Sequence, residues 1–412
     1  MGLHSVGQGL RLLVLAWGVL FGLDACAAVW RVGPRELVRS VAQAAKLARD
    51  GDVVEIIAGE YPGDVAVWTQ RQLTIRGIGG RPKLLAQGRS AEGKAIWVIR
   101  GGRILVENVA FIGARVLHRN GAGIRLEGGQ LTVRDCLFDN NEMGILTANF
   151  ESIQLVVENS EFSHGVNVLP RFSHLLYAGQ IGRLEVRGSY FHHGMVGHLL
   201  KSRARFNLLE FNRLTDEVGG EASYEVEFPE GGIAILVGNL IGQSATTRNN
   251  RMIAYGAEGL RYPDNVLVLA SNTLMDQLPL GGEFLGVWSP DRVRVAAYNN
   301  LLLGGCTAAL DCAEGALRRG WHRFRNLQLP WDAEERFPAA QGNVAVLDQG
   351  LIAQALAGRW PETVHLPGQP VLPSSMFGVS LVPRETYVYP VGRRLRDEKE
   401  GQTGRPTQPG AL

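Results

Sequence analysis

The chain has 412 residues, with 42 basic and 40 acidic side chains. This balance argues against a nucleic-acid-binding protein that works through a broad basic face. The 45% hydrophobic and 20% charged residues are typical of a folded protein, and the 52 glycines indicate many tight turns.

The N-terminus predicts an export signal. Arg11 precedes an apolar run over residues 12–23, and Ala25-Cys26-Ala27 supplies small residues for cleavage before Ala28. The apolar run is too short to cross a bilayer as a helix. We therefore expect residues 1–27 to be removed, with no integral membrane segment afterwards. The mature protein would be periplasmic or secreted, and lipid anchoring through Cys26 is the less favoured alternative.

The first mature residues predict one helix. Residues 34–49 form an amphipathic pattern that places these apolar residues on one side: Leu37, Val38, Val41, Ala45 and Ala48. A strand pattern begins directly afterwards at Val53. A helix at this position would cap the open end of a stack of strands.

The body of the chain repeats a short phrase: a β-rich run, a small or amide residue, then an apolar anchor two places on. The anchors are residues 111, 138, 162, 191, 214, 241, 274 and 302, at spacings of 23 to 33 residues. Three short strands and three turns fill such a period, and stacked circuits form parallel sheets about 4.8 Å apart per coil. Helical repeats and propeller blades fit this pattern poorly. The sequence therefore predicts an all-β parallel solenoid with inward apolar ladders and a ladder of turn asparagines.

Residues 51–61 (GDVVEIIAGEY) and 73–77 (LTIRG) resemble the first coil of secreted right-handed parallel β-helix proteins of the pectate-lyase-like superfamily. The resemblance covers about residues 33–305. It implies a right-handed parallel β-helix over residues 28–305, with the N-terminal capping helix. It also implies a polysaccharide partner, although the superfamily includes lyases, hydrolases, epimerases and binding proteins.

The pattern weakens after residue 305. We expect residues 306–388 to form an irregular C-terminal cap and residues 389–412, which have mixed charge and no apolar periodicity, to be a disordered tail. Cys306 and Cys312 could form a disulfide in an oxidising compartment, which would leave Cys136 as a buried free thiol.

Two neighbouring coils match at an offset of 24 residues: residues 174–177 read HLLY and residues 198–201 read HLLK, while residues 224–227 fall in the next coil. Because alternate residues of a strand share a face, we expect two outward columns. The first contains Tyr177, Lys201 and Glu227, and the second contains Leu175, Leu199 and Glu225. A third column, on the opposite face or at a bend, contains His174, His198 and Tyr224.

Lys201 is the lysine of interest because no other lysine occurs between residues 95 and 398. A lysine can lose its proton when nearby positive charge, here from Arg203 and Arg205, lowers its pKa, whereas arginine cannot. Lys201-Ser202 resembles the Lys-Ser coil of β-helix lyases that act on alginate and chondroitin-type glycans. This resemblance implies Lys201 as a base, and we expect Arg203 to neutralise a uronic-acid carboxylate and Tyr224 or His198 to act as the acid.

The acidic residues leave alternatives open. Glu225 and Glu227 could bind calcium, or could be the acid and base of a glycoside hydrolase or an epimerase. The site residues that we expect to contact substrate are His174, Tyr177, Arg205, Tyr255 and Glu258. The leading expectation is an exported, monomeric lyase that cleaves a uronic-acid polysaccharide by β-elimination, with no nucleotide or nucleic-acid partner and with calcium as a possible cofactor. A non-catalytic glycan-binding protein is the third alternative.

Overall fold

The computed structural model describes residues 27–304, except 167–169, 171, 280 and 299, and short segments between residues 340 and 395. The chain winds through about ten turns of a parallel β-solenoid, which confirms the predicted fold class. Each full turn contributes one strand to each of three parallel sheets. We number these sheets 1, 2 and 3, in the order in which the chain visits them.

Within each sheet the strands follow one another in chain order along the solenoid, and the counts below refer to the described residues. Sheet 1 has 12 strands: Val29–Val32, Val53–Ile57, Gln72–Ile78, Arg103–Glu107, Gln130–Arg134, Gln154–Glu158, Arg183–Arg187, Phe206–Glu210, Ile233–Val237, Val266–Ala270, Arg294–Tyr298 and Ala340–Gln341. Sheet 2 has 11: Glu60–Pro62, Lys83–Leu85, Ala110–Ile112, Leu137–Asp139, Glu161–Ser163, Tyr190–His192, Arg213–Thr215, Leu240–Gln243, Thr273–Asp276, Leu301–Gly304 and Val344–Val346. Sheet 3 has nine: Ala66–Trp68, Ala95–Ile99, Ala122–Leu126, Met143–Thr147, His174–Ala178, Leu200–Ser202, Val226–Phe228, Arg251–Tyr255 and Glu283–Val287.

The predicted N-terminal helix is present but spans only Val41–Leu47, which is shorter than expected. Ser40 caps it, since its side chain accepts a hydrogen bond of 3.1 Å from the backbone N–H of Gln43. The chain before Ser40 is not helical, and Val38 pairs as an isolated bridge with Val32. Leu37, which we expected on the apolar side, is 97% exposed. Across the parts of the chain that the structure describes, no helix is long and apolar enough to cross a membrane.

Two features lie beyond residue 305, the expected end of the solenoid. Strands Ala340–Gln341 and Val344–Val346 extend sheets 1 and 2. Two hairpins follow, Ser375–Met376 with Val379–Ser380 and Glu385–Tyr387 with Arg393–Leu395. A 3₁₀ turn, Pro290–Arg292, lies before residue 305. Val379 and Leu381 pack on the apolar outer face of the last strands of sheet 1. Cys306 and Cys312 lie outside the described residues, whereas Cys136 is a buried free thiol.

The core consists of ladders, as the repeat predicted. The anchors fall in sheet 2, where the rings of Phe111, Phe138, Phe162 and Phe191 stack at centroid distances of 5.0, 4.6 and 4.6 Å. Nearly parallel rings at this spacing follow from the parallel register, which places each residue directly over its predecessor. The repeat length can vary because the turns, and not the strands, absorb the extra residues.

The asparagine ladder is confirmed at the corner between sheets 1 and 2, in four successive coils: Asn212, Asn239, Asn272 and Asn300. The side-chain oxygen of Asn239 accepts bonds of 2.9 Å from both the backbone N–H and the side-chain amide of Asn212. Asn239 Nδ2 in turn donates to the backbone oxygen of Leu209 at 2.8 Å. The ladder therefore satisfies buried backbone groups where the chain turns.

The outer face of sheet 1 carries a column of alternating charge. In successive coils the column reads Arg31, Glu55, Arg76, Glu107, Arg134, Glu158, Arg187 and Glu210. Each member lies within 3.3 Å of an oppositely charged neighbour in an adjacent coil. Opposite charges at directly paired positions favour this register.

Candidate functional site

The outer face of sheet 3 holds the predicted column of polar residues. Tyr177 pairs with Lys201, and Lys201 pairs with Glu227, as the 24-residue offset predicted. The column continues backwards from Tyr177 to Leu146 and then to Arg125. Leu200, next to Lys201 in its strand, is fully buried in the core, so the column points outward.

The three aromatic residues of the third column also stack. The backbone N–H of His198 donates to His174 Nδ1 at 2.9 Å, and that of Tyr224 donates to His198 Nδ1 at 3.1 Å. The ring centroids are 4.6 and 4.9 Å apart. The His174 ring is 5.3 Å from that of Tyr177, so this column lies at the bend and on the outer side. Because each Nδ1 accepts a hydrogen bond, the proton of each neutral imidazole is on Nε2.

The expected second outward column is wrong. Leu175 and Leu199 belong to the hydrophobic core, and Glu225 is completely buried. The strand of this coil begins only at Val226, so the chain bends at Glu225 and the alternation of faces does not extend to it. Burial, and then the negative charge of Asp216, raise the pKa of Glu225 well above its usual value.

Glu225 and Glu227 therefore do not share a groove. Glu225 lies in the interior, whereas Glu227 contacts Lys201 on the outer face. They do not fit the two-carboxylate arrangement of a glycoside hydrolase or a calcium site. Within the described residues, no group of three or more His, Cys, Asp or Glu side chains is arranged to hold a metal ion.

Lys201 lies between two carboxylates. Its Nζ is 2.8 Å from Glu227 Oε2 and 2.8 Å from Glu258 Oε1, and its side chain is 10% exposed. Burial by itself would lower the pKa of Lys201, but the charges and hydrogen bonds of Glu227 and Glu258 outweigh it and raise the pKa. The lowering that we expected from neighbouring arginines is not found, and Lys201 is held in its charged form.

Glu227 is the anionic partner of both Lys201 and His198. His198 Nε2 lies 3.0 Å from the same Glu227 oxygen that contacts Lys201. Burial would raise the pKa of Glu227, but the contacts with His198 and Lys201 lower it to about 2. Glu227 is thus ionised throughout the physiological range and cannot serve as a general acid.

Arg203 extends this network away from the strand. Its guanidinium hydrogen-bonds to Glu258, with Nε at 3.1 Å from the carboxylate, and forms an ion pair of 3.1 Å with Glu230. It also lies over the ring of Tyr177, 5.1 Å from the centroid. Glu258 therefore bridges Lys201 and Arg203, which places this expected contact residue in the site.

An open pocket of about 450 Å³ lies on this face. The predicted site residues among its lining are His174, Tyr177, Lys201 and Arg203. Two lining residues that sequence reasoning missed are Arg125 and Phe172, which is 53% exposed. Counting the outward column back by two coils from Tyr177 would have found Arg125, whereas Phe172 precedes its strand and belongs to no column.

Two predicted contact residues lie elsewhere. Tyr255 is completely buried, pairs in register with the inward-facing Phe228, and donates its hydroxyl hydrogen to the backbone oxygen of Gly232. It is therefore part of the core, and its expected role as a sugar platform is wrong. Arg205 is exposed in the turn after strand Leu200–Ser202 and does not line the pocket.

Comparison with known proteins adds little to this geometry. No family model matches the chain, and no curated protein matches it. Among solved structures, ORF18 of Geobacillus virus E2 aligns with a TM-score of 0.39 and 12% sequence identity, covering 72% of this chain and 53% of that one. The chain thus spans about half the length of that protein. The molecule itself is a parallel β-solenoid of about ten turns with a polar pocket on the outside of sheet 3.

Proposed function

We propose that the pocket on sheet 3 binds an acidic polysaccharide and that the protein cleaves it by β-elimination. The supporting observation is the convergence of two cations, a phenol and a neutral imidazole in one open pocket: Lys201, Arg203, Tyr177 and His174. An open pocket on the side of a solenoid can accept the middle of a long chain. These side chains are also the types that β-elimination needs.

In this reaction a base removes the proton from the carbon that bears the carboxylate. The C–H electron pair then forms a C=C bond, and the C–O bond to the leaving sugar breaks. Negative charge builds up on the substrate carboxylate, where cations stabilise it. We assign this role to Lys201 and Arg203, because both are charged and both already hold a carboxylate, that of Glu258. The substrate carboxylate would take the place of Glu258, whose side chain is 41% exposed.

Tyr177 is the favoured base among the groups that line the pocket. Lys201 is held charged by two carboxylates, and His174 carries its proton on Nε2 because its Nδ1 is occupied. The phenol of Tyr177 remains, and the Arg203 guanidinium lies 5.1 Å from the centroid of its ring. The Nε2–H of His174 can then donate a hydrogen bond to the leaving oxygen.

Lys201, the base that the sequence favours, is the alternative assignment, and a charge-preserving substitution separates the two. If Lys201 acts as a cation, Lys201→Arg keeps most of the activity, whereas Lys201→Ala loses about 10²–10³-fold in kcat. If Lys201 is the base, both variants are inactive, because arginine does not give up its proton. Tyr177→Phe should lose about 10²–10⁴-fold when Tyr177 is the base.

The assay uses the purified protein and a panel of acidic polysaccharides, following the ultraviolet absorbance of unsaturated uronate together with reducing ends. Lys83→Ala is the matched control, since Lys83 is an exposed lysine that pairs with Glu60 far from the pocket. Loss of both signals in Tyr177→Phe, with Lys83→Ala unaffected, supports the proposal. A wild-type protein that binds these polymers and yields neither signal overturns cleavage.

That last outcome corresponds to a second candidate function, glycan binding without turnover. One observation favours it: Lys201 and Arg203 are fully engaged with Glu227, Glu230 and Glu258. A site whose cations are already neutralised can hold a sugar by hydrogen bonding and aromatic contact alone. Affinity for neutral and acidic glycans would then be similar.

A further inference from the structure

Arg125 lines the pocket without an anionic partner, unlike Lys201 and Arg203. It belongs to the same outward column as Tyr177 and Lys201, two coils before Tyr177. Its Nε is buried without a hydrogen-bond partner, and its guanidinium forms no ion pair with any residue in the described part of the chain. This arrangement differs from that of the charged column on sheet 1, where every arginine meets a carboxylate.

The obvious carboxylate for Arg125 is occupied elsewhere. Glu127 is two positions further along the chain, but it pairs with Lys94 at 2.7 Å and with Arg100 at 2.5 Å. The residues next to Arg125 in the column are Val98 and Leu146, which are apolar. Burial lowers the pKa of Arg125, and the charge of Glu127 opposes this only in part.

A partly buried guanidinium without a counter-ion is unfavourable, because it loses hydration and gains no compensating contact. In the charged column of sheet 1, the solenoid sets its cations against carboxylates, as Arg134 does with Glu107 and Glu158. The planar fork of arginine matches the two oxygens of a carboxylate or a sulfate group. The pocket beside Arg125 leaves room for such a group.

We propose that Arg125 binds a second anionic group of the ligand, a carboxylate or sulfate on a different sugar from the one held at Lys201 and Arg203. Three coil steps separate Arg125 from Lys201, which is roughly 14 Å at about 4.8 Å per step. This distance exceeds the size of one sugar, so the ligand is an oligomer with acidic groups on separate residues. The inference rests on the proposed function, since it extends the same pocket.

The test measures affinity by isothermal titration calorimetry for three sets of oligosaccharides of equal length. They are oligogalacturonate for carboxylates, carrageenan oligosaccharides, which carry sulfate and no carboxylate, for sulfate, and cello-oligosaccharides as the uncharged reference. Arg125→Gln removes the charge, and Arg125→Lys keeps the charge without the fork. Arg103→Gln is the matched control, because Arg103 is an exposed arginine at the start of the preceding strand of sheet 1.

We expect Arg125→Gln to weaken binding of acidic oligosaccharides by about 10- to 150-fold, the usual range for a hydrogen bond to a charged group. Binding of the neutral oligosaccharide should not change, Arg125→Lys should be intermediate, and Arg103→Gln should match the wild type. The oligosaccharide set that shows the larger loss identifies carboxylate or sulfate. Equal affinity of Arg125→Gln and wild type for both acidic sets overturns the inference.

Measurements of stability and turnover distinguish ligand binding by Arg125 from a structural role, and distinguish failure of this inference from failure of the lyase proposal. A merely structural arginine would destabilise the protein when replaced, whereas Arg125→Gln should unfold at the same or a higher urea concentration, because it loses no partner. Cleavage by the wild type with an unchanged KM in Arg125→Gln would leave the lyase proposal standing and refute the role of Arg125. Binding that depends on Arg125 without any cleavage would support Arg125 and refute the lyase proposal.

Discussion

The contacts of Glu227 with Lys201 and His198 give a quantitative prediction for the Glu227→Gln variant. Its contacts with Lys201 and His198 lower the pKa of Glu227 from 4.5 to about 2. At about 1.4 kcal/mol per pKa unit, this shift corresponds to about 3 kcal/mol of folding stability. Solvent screens this interaction little, since the Glu227 side chain is only 4% exposed. Because the folded-state pKa is lowered, this stability is present above pH 4.5 and is lost as the pH falls towards 2.

The assay is urea unfolding of wild type and Glu227→Gln, monitored by tryptophan fluorescence between pH 7 and pH 2.5. The difference in unfolding free energy should be about 3 kcal/mol at pH 7 and should shrink steadily below pH 4.5. Glu60→Gln is the control, since Glu60 is 62% exposed and its pair with Lys83 should be worth less than about 1 kcal/mol. A pH-independent difference, or none at pH 7, would refute the assignment of these contacts as charged and stabilising.

Two further substitutions test the interior. Burial raises the pKa of Glu225, so folding above pH 4.5 requires a proton that Glu225→Gln does not need. Relative to wild type, this variant should gain stability in urea unfolding as the pH rises above 4.5, by up to about 1.4 kcal/mol per pH unit. Parallel stability curves would contradict the burial. Asn239→Ala leaves backbone groups of Asn212 and Leu209 unpaired. It should cost about 2–6 kcal/mol by the same assay, and a cost below 1 kcal/mol would show that the ladder is not stabilising.

The fold could be predicted from the sequence because every coil of a solenoid repeats the same pattern of strands, turns and apolar anchors. Each anchor, such as Phe138 or Leu274, must lie over the previous one, so a single recurring phrase determines all three sheets. The amide ladder followed from the same repetition. The start of the helix was less predictable. Val38 pairs with Val32, so the chain before Ser40 is extended and not helical. This pairing is a contact between distant segments, which local helix preference does not indicate.

The site was predictable only where the strand is regular. The offset between coils placed Tyr177, Lys201 and Glu227 correctly, since parallel register carries that information. It misplaced Glu225, because the bend before Val226 breaks the alternation and nothing in the residue pattern marks where the strand begins. The pKa of Lys201 was also beyond sequence reasoning, as Glu258 reaches it from a later coil across 57 positions of the chain.

An irregularity at the start of strand His174–Ala178 explains why a pocket forms on this face, because Leu175 is buried in the core and the pairing with the preceding coil skips it. A regular strand presents alternate residues, so the His174 and Tyr177 columns, three positions apart, would face opposite sides. This irregularity places both on the outer side, with their rings 5.3 Å apart, and so makes the polar surface two columns wide. Elsewhere, as in the Arg134 pairs of sheet 1, opposite charges in successive coils neutralise each other and leave little for a ligand to bind. On this wide polar face Lys201 and Arg203 are paired with carboxylates, whereas Arg125 meets none in the described part of the chain. That unpaired cation is the physical reason to place ligand binding there.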